Sequence, residues 1–188
     1  DIPKFGGKEL FWFQEWLDHP NYDDYWKEIA VKERYEDIKV PVLQIGGWYD
    51  IFANGTMANF MGMCSNGGSE LAKSNQRVIM GPWHHHTNTE THAGETDFGY
   101  SSIIDLNQVQ LRWYDHWLKS VDNGVDADAP LRLYVMGANE WRDEYEWPLA
   151  RTQFTKYYLH SDGMANGLEG DGRLSTDCPK TELPDQYD

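Results

Sequence analysis

The sequence has few cysteines, few basic side chains and no long apolar run. Cys64 and Cys178 are the only cysteines among 188 residues, too few and too far apart to predict a disulfide framework or a CxxC metal site. No apolar run approaches the ~18–20 residues that cross a bilayer, so no membrane association is predicted. The 16 Lys and Arg against 31 Asp and Glu give a net charge of −15, which disfavours nucleic-acid binding because such a surface repels phosphate backbones.

The composition nevertheless predicts a globular protein with a packed core, since hydrophobic residues make up 40% and charged residues 25% of the chain. Aromatic residues reach 14%, and such rings are often shared between a core and an apolar pocket. The chain begins at Asp1 without a methionine or a signal-peptide core and ends as abruptly, so we expect it to be part of a longer polypeptide. The compartment and the oligomeric state stay open, a homo-oligomer included.

Short apolar runs and helical patterns alternate between residues 38 and 122, which predicts an α/β domain. The run from Ile38 to Ile45 is rich in β-branched residues and ends in two glycines, as expected of a strand buried on both faces. Residues 54–65 then predict a helix, and residues 77–83 a second buried strand. Residues 106–119 predict a further helix with one apolar stripe. This order of elements is typical of a parallel sheet.

The flanking segments have a different character. Residues 9–29 mix aromatic and acidic residues around Pro20, which predicts two short helices separated by a turn. Residues 122–130 form a linker rich in Gly, Pro and Asp. Beyond it, residues 130–137 and 155–161 alternate like half-buried antiparallel strands, which predicts a second, all-β domain.

Two reactive side chains follow the two predicted strands. Asp50 ends GGWYD after the first strand, and His85 lies in GPWHHH after the second. Because the carboxyl ends of parallel strands meet at one edge of a sheet, we expect a carboxylate oxygen of Asp50 at roughly 2.6–3.2 Å from His85 Nδ1. An Asp in that position fixes the imidazole tautomer, as in Ser-His-Asp hydrolases.

The nucleophilic serine of such a triad is not evident in the chain. In α/β-hydrolases the order along the sequence is Ser, then Asp or Glu, then His, and the serine occupies G-x-S-x-G. None of the eight serines lies in that motif. We therefore expect the nucleophile upstream of Asp1.

Other interpretations of these residues compete with catalysis. A lone Asp after a strand could be a helix N-cap. The triplet from His84 to His86, followed by a polar loop up to residue 99, suggests a metal site. However, consecutive residues on an extended loop point in alternating directions, whereas zinc sites favour spacings such as His-x₃-His. No metal and no cofactor are predicted.

Several stretches carry a family resemblance. They are VPVLQIGGWYDIF, VIMGPWHHH, GETDFG, QLRWYDHWLKSVDNGV and APLRLYVMGANEWRDEYEWPLAR. Together they resemble the superfamily of X-prolyl dipeptidyl-peptidases, cocaine esterases and α-amino-acid ester hydrolases, most closely its members labelled glutaryl-7-aminocephalosporanic-acid acylases. The resemblance runs from about Trp16 to Ser161 in the family's order and spacing.

The resemblance implies a serine hydrolase that cleaves ester or amide bonds with a Ser-His-Asp triad. Residues 1–30 would be the end of a helical cap, and residues 31–125 the C-terminal part of an α/β-hydrolase domain. Residues 129–188 would begin a jelly-roll β-sandwich. The partners implied are a small ester or amide substrate and the N-terminal half of the same chain, without which this part is expected to be inactive. The alternative function is a non-catalytic module that binds carbohydrate or a partner protein.

The resemblance also assigns site residues. Asp50 and His85 match the triad positions, and Phe52 falls where family members line the acyl pocket. Trp48 and Trp83 flank the two catalytic positions. For each of them, a place in the core and a place in the pocket wall are equally open. In the amino-acid ester hydrolases two carboxylates follow the triad Asp, but here no acid occurs before Glu70. A neutral or anionic acyl group is therefore expected.

Overall fold

The structure, a computed structural model, describes residues 4–5, 8–85, 88, 90–182 and 184–185. Its strands in chain order are β1 (Lys4–Phe5), β2 (Lys8–Glu9), β3 (Val42–Gly47), β4 (Gln76–Gly81), β5 (His92–Ala93), β6 (Thr96–Asp97), β7 (Leu131–Val135), β8 (Glu140–Glu144), β9 (Tyr158–His160) and β10 (Arg173–Ser175). Its α-helices are α1 (Phe11–Asp18), α2 (Asp24–Ile29), α3 (Ala53–Asn66), α4 (Glu70–Ser74) and α5 (Leu106–Lys119). The chain divides into one unit up to Trp147 and a second from Pro148 onward.

A mixed four-stranded sheet in the order β3–β4–β7–β8 is the centre of the first unit. β4 runs parallel to both β3 and β7, while β8 is antiparallel to β7. The predicted parallel pairing of the first two buried strands is thus confirmed. Val78, Ile79 and Met80 of β4 are each 0% exposed. Full burial of a side chain of this size contributes about 1.5–3 kcal/mol, so β4 is the core strand.

Four helices lie where the sequence predicts them. α3 connects β3 to β4 and buries Met57, Phe60 and Met63, which share one face because they are three residues apart. α5 has the predicted bounds, and Asp105 caps it by accepting a hydrogen bond from the Gln108 N–H at 3.1 Å. α1 and α2 confirm the two short helices near the N-terminus. Among the helices of the described ranges, none is long and apolar enough to cross a membrane.

The polar loop after β4 contains more structure than the sequence predicts. β5 and β6 form a short antiparallel hairpin, closed by a hydrogen bond from the Phe98 N–H to the Thr91 carbonyl at 2.8 Å. Ala93 and Phe98 are buried against Tyr134 of β7. These two apolar residues fix the hairpin, and they are too widely spaced within a polar segment to produce a strand pattern.

The hairpin of β7 and β8 lies in the first sheet. The sequence pattern places the start of a second domain at residue 129, and the compact units of the structure divide after Trp147. The segment 122–130 is a crossover back to the sheet, and the Val78 N–H donates to the Pro130 carbonyl at 2.8 Å. β7 pairs on both edges and buries Leu131 and Leu133.

The second unit contains one antiparallel pair, β9 with β10. His160 at the end of β9 hydrogen-bonds through Nδ1 to a carboxylate oxygen of Glu182 at 2.5 Å. This bond raises the pKa of His160, and the imidazole lowers the pKa of Glu182 in return. β9 is the predicted strand of residues 155–161, reduced to three residues.

A cluster of charged side chains connects β4, α5 and the crossover to β7. Asp128 accepts hydrogen bonds from the guanidinium groups of Arg77 on β4 and Arg112 on α5. Arg112 also donates to the Asn123 carbonyl at 3.0 Å. Burial alone raises the pKa of Asp128, but hydrogen bonds and positive charge from Arg112 and Arg77 outweigh it, so the pKa lies below its ordinary value. Asp128 therefore stays ionised and holds three elements together.

We expect Asp128→Asn to lower the free energy of unfolding by about 1–3 kcal/mol at pH 7, since hydrogen bonds to charged groups contribute that much. A carboxylate whose pKa is lowered by folding stabilises the protein above its unfolded pKa, and this contribution is lost as the pH falls through the folded pKa. The difference between wild type and variant should therefore shrink below about pH 4. Urea unfolding across this pH range measures it. Asp126→Asn is the control, because Asp126 is exposed in the same segment. A difference that grew on acidification would contradict the assignment.

Candidate active site

The turn after β3 positions Asp50. Its backbone N–H donates to the Gly47 carbonyl at 3.1 Å, and its Oδ1 accepts a hydrogen bond from the Phe52 N–H at 2.9 Å. The Asp50 side chain is only 8% exposed. Phe52, not Asp50, is the N-cap residue of α3, and it makes no side-chain capping bond. The N-cap interpretation of Asp50 is therefore wrong, because its side chain closes the turn that precedes the helix.

The turn after β4 lies directly against the turn after β3. The Trp48 N–H donates to the Gly81 carbonyl at 2.9 Å, and the Tyr49 N–H donates to the Trp83 carbonyl at 3.0 Å. These bonds continue the pairing of the two strands beyond their ends. As a result, Asp50 and His85 reach the same edge of the sheet although 35 positions separate them.

Asp50 and His85 face each other across this edge. His85 Nδ1 lies 3.3 Å from both carboxylate oxygens of Asp50, slightly beyond the predicted range. The His85 side chain is 61% exposed. The Phe52 ring meets the imidazole edge-on, with 5.2 Å between ring centroids. The site thus consists of a shielded carboxylate, an accessible imidazole and an aromatic ring beside it.

The charge state of Asp50 follows from its hydrogen bonds. The bond from the Phe52 N–H is the largest influence and lowers the pKa of Asp50, and the contact with His85 lowers it further against the opposing effect of burial. The carboxyl group is therefore ionised at neutral pH and accepts hydrogen bonds only. An acceptor at Nδ1 favours the tautomer that carries its proton on that nitrogen.

The three aromatic residues predicted at the pocket differ in exposure. Phe52 is 56% exposed and lies beside the imidazole. Trp83 is 2% exposed, and its indole N–H donates to the Ser102 carbonyl at 3.0 Å. The indole N–H of Trp48 donates to the Tyr134 carbonyl at 2.9 Å. These contacts favour the core for Trp83, whereas the Phe52 ring is exposed beside His85.

Two further histidines of the described loop residues pair with acids in different places. His84 Nε2 lies 3.8 Å from a Glu90 carboxylate oxygen, and His92 Nε2 lies 3.6 Å from Asp97. His86 lies outside the described residues. Within the described ranges no group of three or more His, Cys, Asp or Glu side chains is arranged to hold a metal ion.

The sequence analysis missed one residue of this loop, Asn88. Its side-chain Nδ2 donates to the Ile104 carbonyl, and its Oδ1 accepts from the Ile104 N–H at 2.8 Å. Asn88 has a φ of +60°, a conformation that Asn adopts more readily than most residues. The sequence signal for this residue was an Asn shortly after the histidine triplet. Its hydrogen-bonding partner Ile104 lies 16 residues further along the chain, so no local pattern indicated the contact.

The comparisons with known proteins point to one family. The X-Pro dipeptidyl-peptidase family S15 matches residues 6–87, which include Asp50 and His85. The C-terminal non-catalytic domain of X-Pro dipeptidyl-peptidases matches residues 123–188. Over 174 residues the chain is 33% identical to cocaine esterase of Rhodococcus sp. (strain MB1 Bresler), covering 91% of this chain and 29% of that protein. The chain belongs to the X-Pro dipeptidyl-peptidase and cocaine esterase superfamily.

Two solved structures share the fold. An aminopeptidase from the marine sediment archaeon Thaumarchaeota archaeon superposes with a TM-score of 0.68 at 20% identity, over 94% of this chain and 28% of that one. A CocE/NonD family hydrolase from Staphylococcus aureus gives 0.56 at 21% identity, over 82% and 25%. The first unit is therefore part of an α/β-hydrolase fold with a mixed sheet. The chain spans less than a third of the length of these relatives.

Two glycines permit the close approach of the two turns. A Cβ on Gly47 would lie 2.0 Å from the Trp83 carbonyl oxygen, and a Cβ on Gly81 would lie 2.3 Å from the Trp83 ring. Contacts this short require the backbone or the ring to move.

We therefore expect Gly47→Ala to destabilise the protein and to separate Asp50 from His85, because the methyl group displaces the Trp83 carbonyl. Gly55→Ala is the matched control, since a Cβ at this helical position meets nothing within 4 Å. It should be neutral or stabilising by up to about 1 kcal/mol. Thermal unfolding of both variants checks this. Equal melting temperatures for the two would show that Gly47 is not required by close packing.

Proposed function

We propose that this chain supplies the aspartate and the histidine of a serine hydrolase that cleaves ester or amide bonds through a Ser-His-Asp triad. The observation that carries the proposal is the position of His85 Nδ1, 3.3 Å from the shielded and ionised carboxylate of Asp50. A distance near this value is common in unliganded active sites, where such bonds tighten only in the reacting complex.

The chemistry follows from the tautomer. With the Nδ1 proton held by Asp50, the neutral imidazole has its lone pair on Nε2, which accepts the proton of the serine hydroxyl as its oxygen attacks the substrate carbonyl carbon. The imidazolium formed is stabilised by the Asp50 carboxylate. It then returns the proton to the leaving alcohol or amine, and water releases the acyl group by the same route.

The alternative is a non-catalytic binding module. Such a module has no requirement for an accessible imidazole beside a nearly buried carboxylate. The relatives also favour catalysis, since they are an esterase, an aminopeptidase and a CocE/NonD family hydrolase. We therefore assign the site to hydrolysis.

The remaining parts of the enzyme are assigned from the family resemblance. The nucleophilic serine and the oxyanion donors belong to an earlier part of the polypeptide, so this chain alone should be inactive. Helices α1 and α2 would belong to a helical cap, and residues 129–188 would begin a jelly-roll sandwich. The match of residues 123–188 to a non-catalytic C-terminal domain supports the last assignment.

We expect Asp50→Asn in the full-length enzyme to fold normally and to lower kcat by up to ~10⁴. An Asn Oδ1 can still accept the hydrogen bond of the Phe52 N–H, so the turn is preserved. Its amide NH₂ would face His85 Nδ1 and favour the wrong tautomer. The measurement is steady-state hydrolysis of p-nitrophenyl acetate, with Asp122→Asn at an exposed position as the control. Near-normal turnover of Asp50→Asn would reject the proposed role.

The acyl side of the site is apolar. Ile51 is 84% and Phe52 56% exposed directly after Asp50, and the sequence contains no acid until Glu70. An ammonium group would lose water there without gaining a counter-ion, which is costly. An apolar or aromatic acyl group gains about 25 cal/mol for each Å² removed from water. We propose that neutral or anionic acyl groups are preferred.

For the full-length enzyme we expect kcat/KM to be about tenfold or more higher for a des-amino ester than for the matching α-amino-acid ester, since ~1.4 kcal/mol corresponds to tenfold. Phe52→Glu should reduce the difference in kcat/KM between the two esters, because it supplies a carboxylate for the ammonium group. Phe52→Leu should not reduce that difference. A wild-type preference for the amino ester would overturn the proposal, because it would require an ammonium site elsewhere.

A further inference from the structure

We propose that Asn88 is a positioning residue for His85: it fixes the histidine loop on the segment 101–104, and so sets the distance between His85 and Asp50. The inference rests on the proposed catalytic role of His85. Asn88 itself touches neither Asp50 nor the reacting atoms. It lies three positions after His85 in the chain.

The contact between Asn88 and Ile104 replaces a pair of backbone hydrogen bonds. The side-chain amide both donates to the Ile104 carbonyl and accepts from the Ile104 N–H, at 2.8 Å in the second case. A primary amide has the same donor and acceptor as a peptide group, so it pairs with Ile104 as a neighbouring strand would. Two bonds to one residue fix direction as well as distance. The left-handed backbone of Asn88 turns its side chain toward this partner.

The segment that receives Asn88 is itself held in place. The indole N–H of Trp141 donates to the Ser101 carbonyl at 2.8 Å, and that of Trp83 donates to the Ser102 carbonyl at 3.0 Å. The Ser102 hydroxyl donates to the Gly99 carbonyl at 2.7 Å, and Ser102 is 0% exposed. These hydrogen bonds hold segment 101–104 in place, so it is a fixed support for Asn88.

The histidine loop is attached to this support on both sides of His85. Trp83 lies two positions before His85 and Asn88 three positions after it, and both bind within residues 101–104. Only two residues separate His85 from Asn88 in the chain, so a fixed Asn88 limits how far the backbone of His85 can move.

We expect the position of His85 to depend on the restraint that Asn88 supplies. Its side chain is 61% exposed, and its contact with Asp50 is at 3.3 Å, longer than a typical hydrogen bond. A displacement of about 1 Å at a reacting group can cost ~10²-fold in rate. Loss of the Asn88 anchor should therefore lower turnover more than substrate binding.

The test uses the full-length enzyme and Asn88→Gly, which keeps the left-handed backbone accessible and removes both hydrogen bonds. Asn139→Gly is the matched control, because Asn139 has a φ of +54° in the turn between β7 and β8. With p-nitrophenyl acetate, Asn88→Gly should lower kcat about 10- to 100-fold and change KM by less than about threefold. Asn139→Gly should leave kcat unchanged. A wild-type kcat in Asn88→Gly would overturn the inference.

A double-mutant cycle with His85→Ala tests whether Asn88 acts through His85. If it does, adding Asn88→Gly to His85→Ala should not lower the residual rate further. A full additional loss would overturn the inference, since Asn88 would then act by another route. Wild-type activity in His85→Ala itself would reject the proposed function, a result that is separate from the outcome for Asn88.

Thermal unfolding shows whether each variant is folded. If Asn88→Gly does not fold, Asn88→Asp decides the question, because it keeps an acceptor for the Ile104 N–H and loses the donor to the Ile104 carbonyl. Its kcat should fall with KM nearly unchanged. A folded Asn88→Asp with wild-type kcat would contradict the inference.

Discussion

The parallel pairing of β3 with β4, continued beyond the strand ends, is the constraint on which the candidate site depends. Two further backbone hydrogen bonds, from Trp48 to Gly81 and from Tyr49 to Trp83, hold the two turns in register. A shift of one residue in this register would turn every side chain of the strand to the other face. Asp50 and His85 would then no longer meet. The backbone pairing of the two strands and turns therefore brings Asp50 and His85 together, and the contact between their side chains follows from it.

Different forces stabilise the two sides of this arrangement. Beneath the turns, the fully buried Val78, Ile79 and Met80 of β4 provide hydrophobic stabilisation. At the opposite ends of the same strands, Asp128 joins β4, α5 and the crossover through two arginines. At the edge that carries Asp50 and His85, the His85 side chain is mostly exposed. The candidate site therefore combines a well-packed strand beneath it with an accessible imidazole, which suits the proposed exchange of protons with a substrate.

The sequence predicted the elements that depend on local patterns. The apolar runs before Asp50 and His85 identified the two strands, and the rule for strand ends placed these residues together. The helix from Leu106 to Lys119 followed from its apolar stripe. The sequence did not show that β7 and β8 join the same sheet, because alternation describes exposure and not the identity of the neighbouring strand. It also did not show the role of Asn88, which depends on a contact with Ile104.

The close packing around Trp83 has a consequence for mutational coupling. At position 81 the obstacle to a larger residue is the ring of Trp83, whereas at position 47 it is the carbonyl oxygen of the same residue. A smaller side chain at position 83 would therefore relieve a substitution at 81 and leave one at 47 as costly as before. Positions 81 and 83 should show strong pairwise epistasis, and position 47 should vary independently of the side chain at 83. Trp83 thus restricts position 81 through its ring and position 47 through its backbone carbonyl. A compensating substitution at 83 can remove the first restriction but not the second.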